Sequence, residues 1–153
     1  MILNIESKDK KLKICFSSIT GNIDIAARKT EKFLVENSLK DIAFDVILVM
    51  REALTNAVKY GSGENSKKKV KYSLKIQDDS LIMKVEDEGE GFDWKKILKR
   101  SLPLANSSNG RGLAIMKSYF HIIEYNKKGN ILYLHKKLLN GGANGEKSNE
   151  KNI

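Results

Sequence analysis

An α+β domain is the fold class this sequence predicts, and three patterns carry the prediction. Two pairs of segments alternate apolar and polar residues on either side of short turns, which is how β-hairpins read. Two longer segments ahead of them repeat apolar residues at helical spacing. Apolar residues at 41% and charged residues at 31% are in the proportion of an ordinary globular domain, and 153 residues suit one core.

In chain order, Lys11–Ser17 alternates as a strand with Leu12, Ile14 and Phe16 on one side, and it is expected to pair with the stretch before it. Asn22 or Asp24 can cap a helix that runs to about Asn37, with Ile25, Ala26, Phe33 and Leu34 as its stripe. Asp41 can cap a longer helix, on which Ile42, Val46, Val49, Ala53, Ala57 and Tyr60 return to one face until Gly61 ends it. Residues 61–65 then form a loop. Val70, Tyr72, Leu74 and Ile76 alternate, Asp78, Asp79 and Ser80 turn the chain, and Leu81, Met83 and Val85 alternate again. This hairpin delivers Asp87 at a strand end. A short helix is expected over 93–100, a mobile lid over 101–112 around Pro103, and a helix over 113–120. A hairpin of 122–125 and 131–135 closes the domain at residues 1–139, and the polar remainder, 140–153, is expected to be disordered.

Composition also excludes. The longest apolar stretch, 42–50, is broken by Asp45 and is far shorter than the roughly 20 residues of a membrane span. The first residues lack a secretory signal, and Cys15 alone closes no internal disulfide, so a reducing cytoplasm is expected. Cys15 itself reads as a small buried apolar residue rather than a nucleophile. The net charge of +9 is densest at Lys67, Lys68, Lys69 and Lys71, but no aromatics interleave them. A solvated basic edge is expected there, not a nucleic-acid surface. His121 and His135 have no Cys or acidic partner at metal-ligand spacing and read as ordinary strand histidines.

Three segments carry chemistry. Glu52 and Asn56 share one face of the second helix, where an amide oxygen can hold a hard cation such as Mg²⁺ and a carboxylate can take a proton. Asp87, Glu88, Gly89, Glu90, Gly91 and Phe92 follow a strand; a carboxylate there can accept from the amino group of a base, and glycine lets backbone approach a flat ring. A tight turn is the plainer reading of that loop. Gly110, Arg111, Gly112 and Leu113 open a helix, whose free N–H groups could face a phosphate, or they form only a flexible turn.

Taken in order, the three segments resemble the N, G1 and G2 boxes of the GHKL ATPase superfamily, which includes gyrase, heat-shock chaperones, sensor histidine kinases and mismatch-repair ATPases. The likeness runs from about Lys11 to Lys137. It implies a two-layer α/β sandwich of the Bergerat type, a mixed and largely antiparallel sheet with helices on one face. It implies bound ATP and Mg²⁺, with Asn56 as metal ligand, Lys59 near phosphate, Asp87 reading adenine, and Gly89, Gly91, Gly110, Arg111, Gly112 and Leu113 around the nucleotide. Within the superfamily, Glu52, Ala53, Thr55, Asn56 and Ala57, together with the closing Lys128, Gly129, Asn130, Ile131, Leu132, Tyr133 and Leu134, are similar to the anti-sigma factor serine/threonine kinases of bacterial partner-switching systems. That likeness implies transfer of the γ-phosphate to a serine of a small antagonist (anti-anti-sigma) protein, sequestration of a sigma factor, Glu52 as the base, and a homodimer. Spore-forming members carry an arginine two residues before the first G2 glycine; here that position is Ser108, with Arg111 or Lys59 as substitutes. Two other readings are a nucleotide-dependent protein-binding switch without kinase activity and the isolated ATP-binding domain of a histidine kinase.

Overall fold

Six strands lie side by side in the order β1-β2-β3-β4-β6-β5 in the computed structural model, which describes residues 2–61, 65–89 and 108–138. They are β1 (Ile2–Lys8), β2 (Lys11–Ser17), β3 (Lys69–Gln77), β4 (Ser80–Asp87), β5 (Ile122–Tyr125) and β6 (Ile131–Lys137). Every pairing is antiparallel, so among the described strands the sheet is not mixed as expected. Hairpins join β1 to β2, β3 to β4 and β5 to β6, and such short connections can only join antiparallel neighbours.

Register explains where the core sits. Ile14 pairs with Tyr72, Tyr72 with Val85, and Val85 with Leu132, which puts four buried side chains in one row across the sheet. Because side chains alternate, Leu12, Phe16, Val70, Leu74, Leu81, Met83 and Leu134 fall on the same face and are buried with them. Among the described residues, three α-helices cover that face: α1 (Gly21–Glu36), α2 (Ala43–Asn56) and α3 (Ser108–Tyr119). α2 touches both of the others and β4, and it buries Val46, Val49, Met50, Ala53 and Leu54 at the spacing of one helix face. A polar contact crosses the core: the Tyr72 and Thr30 hydroxyls are 2.7 Å apart and both residues are buried. Burial pushes the Tyr72 phenol far above its ordinary value.

Local chemistry differs from the sequence reading at several points. Neither Asn22 nor Asp24 caps α1. Thr20 holds that position, the Asn22 amide donates to the Ser17 carbonyl at 2.9 Å, and Asp24 accepts from Arg51 Nη1 at 2.8 Å. Asp41 lies inside a 3₁₀ turn (Lys40–Ile42), and Ile42 precedes α2 without a side-chain cap. Cys15 is on the face of the sheet away from the helices and is partly exposed, because it alternates with the buried Ile14 and Phe16. α3 begins at Ser108, not at Leu113, so Gly110 and Gly112 sit within its first turns; burial of Met116 in the core outweighs their poor helix propensity. The expected lid therefore keeps only 101–107, which lie outside the described residues, as do the expected helix 93–100, most of the loop 61–65 and the tail 140–153.

No helix among the described residues is long and apolar enough to cross a membrane. His121 accepts the Lys137 N–H through Nδ1 at 3.2 Å, and its own N–H bonds the His135 carbonyl at 2.9 Å, so it serves the hairpin as expected.

Candidate functional site

Asn56 ends α2, and the chain then widens into a π turn, Ala57–Gly61. Such a turn offsets the helix by one residue and is often found where a helix end serves function. Asp87 ends β4, the strand α2 packs against. The two ends meet: Asn56 and Asp87 line one small pocket together with Ala53, Ala57, Val85, Tyr125, Gly129, Asn130 and Leu132. Its volume is about 10 Å³, room for a single water.

The polar side of this pocket is tightly held. Asp87 is 7% exposed. Its Oδ1 accepts the Gly89 N–H at 2.7 Å, a backbone contact that fixes the carboxylate and the start of the glycine loop against each other. The Asp87 N–H bonds the Asn130 carbonyl at 3.0 Å, and the Asp87 carbonyl accepts from Asn130 Nδ2 at 3.0 Å. Burial raises the Asp87 carboxyl above its ordinary value; the Gly89 N–H and the positive charges of Lys128 and Lys68 pull the other way. Tyr125 is raised as well, first by burial and then by the neighbouring Asp87 charge. The walls below are apolar, from Ala53, Ala57, Val85 and Leu132. A buried carboxylate among these apolar walls can accept a hydrogen bond from an amino group that reaches it.

The other expected residues are distributed around this pocket. Glu52 is partly exposed on α2, one turn before Asn56, and is not among the pocket's lining residues. Lys59 is exposed within the π turn. Gly89 is buried at the end of the described loop, while Gly91 lies outside the described residues. Gly110, Arg111, Gly112 and Leu113 belong to α3. Because α3 begins at Ser108, the Arg111, Gly112 and Leu113 N–H groups fall within the intrahelical ladder, and of the four expected residues Gly110 alone lies in the stretch whose N–H groups lack an intrahelical acceptor. No cluster of three or more His, Cys, Asp or Glu that could hold a metal occurs among the described residues.

Sequence reasoning missed Tyr125, Asn126 and Asn130 as contributors. Tyr125 and Asn130 line the pocket, and Asn126 holds Asn130 by a 2.7 Å bond from Nδ2 to Oδ1. The signal available was Asn126, Lys127, Lys128, Gly129 and Asn130 in one hairpin turn, which says turn and nothing about a pocket. Larger hollows lie elsewhere. One of about 370 Å³ is on the open face of the sheet, lined by Lys13, Cys15, Lys71 and Lys84 with Glu6 and Glu86, and none of the expected site residues reaches it.

The family model of the histidine kinase-like ATPase domain matches residues 19–136. Among individual proteins, the chain is similar to the anti-sigma F factor of Priestia megaterium, 27% identical over 141 residues that cover 87% of this chain and 96% of that protein. It is 26% identical over 137 residues to the anti-sigma F factor of Oceanobacillus iheyensis, covering 84% of this chain and 92% of the other. With the anti-sigma F factor of Bacillus subtilis it shares 28% identity over 109 residues, 68% of this chain and 74% of that protein.

Proposed function

The chain belongs to the histidine kinase-like ATPase domain family, and from that premise we propose that it is an anti-sigma factor that binds ATP with Mg²⁺ and phosphorylates a serine of a small antagonist protein. The observation that carries the nucleotide reading is the meeting of Asn56 and Asp87, far apart in sequence, in one pocket whose carboxylate is buried and accepts the Gly89 N–H. Asp87 accepts the adenine amino group, and the Gly89 N–H holds it in that orientation. The water-sized gap means that a ring enters only as the walls part.

The remaining roles follow the chemistry of the residues. Asn56 supplies an amide oxygen to Mg²⁺, which when bound neutralises charge on the phosphates. Glu52, one turn away and partly exposed, is the base that takes the proton of the incoming serine hydroxyl. Lys59 and Arg111 are the cations proposed for the γ-phosphate, since Ser108 stands where the family resemblance implies an arginine. The similarity to anti-sigma F factors supports a sigma factor as the sequestered partner. Calorimetric titration with ATP and Mg²⁺, followed by incubation with labelled ATP and a candidate antagonist, tests the reading. Binding without transfer to any serine would favour the nucleotide-dependent switch instead, and no binding would remove both.

A further inference from the structure

We infer that Asn126 is a positioning residue for the nucleotide pocket, acting on Asp87 through the side-chain amide of Asn130. Asn126 follows β5 and uses its whole carboxamide. Its Oδ1 accepts the N–H groups of Gly129, Asn130 and Ile131, each at 2.9 Å, and its Nδ2 donates to Asn130 Oδ1 at 2.7 Å. Its backbone closes the same turn, donating to the Ile131 carbonyl at 2.9 Å and accepting from the Gly129 N–H at 3.1 Å. Gly129 adopts φ 88°, a left-handed conformation that glycine takes without strain. Three converging N–H groups demand an acceptor, and the fourth contact demands a donor, so a carboxamide of this length is the one side chain that meets both.

The donor contact has a consequence beyond the turn. By occupying Asn130 Oδ1 it leaves Asn130 Nδ2 facing the Asp87 carbonyl, where it donates at 3.0 Å. With the Asp87 N–H on the Asn130 carbonyl, the backbone of the base-reading residue is pinned on both sides by one residue, and that residue is oriented by Asn126. Were the Asn130 amide to turn over, two carbonyl oxygens would face each other. The relay therefore fixes the backbone from which the buried carboxylate projects.

The inference rests on the nucleotide reading, and two kinds of measurement separate them. In the free protein, Asn126→Ala should speed hydrogen exchange of the Asp87 and Gly89 amides by about tenfold, the worth of one lost hydrogen bond, while the Tyr72 amide in β3 is unchanged. In the nucleotide arm, the preference of wild type for ATP over GTP should fall by about tenfold in Asn126→Ala, in Asn130→Ala and in the double variant alike, because the two act in series. Unchanged protection at Asp87 and Gly89 would overturn the positioning role even if wild type prefers ATP. Faster exchange in a protein that binds no nucleotide would sustain the positioning role and sink the nucleotide reading. A lower melting temperature with intact protection and intact preference would make Asn126 a turn residue only. Additive losses in the double variant would break the relay into two separate contacts.

Discussion

Replacing Asp87 by asparagine should weaken nucleotide binding and strengthen the fold, two effects of opposite sign from one carboxylate. Asparagine is nearly isosteric, and its Oδ1 can still accept the Gly89 N–H that Asp87 takes at 2.7 Å. What changes is the other end, where an NH₂ group would meet the amino group of the base. Loss of a hydrogen bond to a charged acceptor costs about 1.5–3 kcal/mol, so affinity for ATP should fall about 10- to 150-fold. Stability moves the other way. Burial raises the Asp87 carboxyl in the folded state, so the proton is held more tightly there than in the unfolded chain. The resulting stability is complete below the ordinary carboxylate value of 3.8 and is lost as pH rises through the raised one. At neutral pH wild type thus keeps a disfavoured buried charge that the variant lacks. Each kcal/mol recovered raises the melting temperature by about 2–4 °C in a chain of this size. Calorimetry with ATP and thermal melts at neutral pH and near pH 3 test both halves. A variant that binds ATP as wild type does would refute the base-reading role; one less stable than wild type at neutral pH would refute the electrostatic argument.

Other substitutions separate ligand, base and scaffold. Asn56→Ala should abolish the Mg²⁺-dependent part of nucleotide affinity, whereas Glu52→Gln should bind normally and lower single-turnover phosphate transfer by about 10²–10⁴-fold; equal loss of binding in both would show that Glu52 is not a base. Tyr72→Phe removes the 2.7 Å contact with Thr30 inside the core and should cost about 1–2 kcal/mol in urea denaturation, with nucleotide affinity unchanged. Ser108→Arg should raise the transfer rate more than the ATP affinity if the missing cation limits catalysis. A rapid wild type with no gain would point to Arg111 or Lys59 as the working charge.

Much of the fold was legible because the sheet buries one face. Leu12, Ile14, Phe16, Tyr72, Leu74, Leu81, Met83 and Val85 alternate cleanly, and period-two alternation admits only one register with the core. The helix starts were less legible. Asn22, Asp24 and Asp41 are good caps by type, yet Asn22 closes the turn after β2 and Asp24 pairs with Arg51. Gly110 and Gly112 suggested a helix beginning after them, and tertiary packing extended it to Ser108. At the candidate site, Asn56 and Asp87 stand out only through the ordered resemblance of the three segments, since alone the Asp87 loop reads as a turn. The Asn126 and Asn130 relay does not, since a polar hairpin turn shows no sign in sequence of the strand it will touch; the β4 and β6 pairing brings it there.

The central claim is that the meeting of α2 and β4 is the nucleotide site, and backbone amide NMR of the whole chain during titration with Mg²⁺ and ATP tests it most directly. Saturable shifts should concentrate at Asn56, Asp87, Gly89, Tyr125 and Asn130, with little change on the open face of the sheet at Lys13, Cys15 and Lys71. Saturable shifts confined to that open face, or none at millimolar nucleotide, would contradict it.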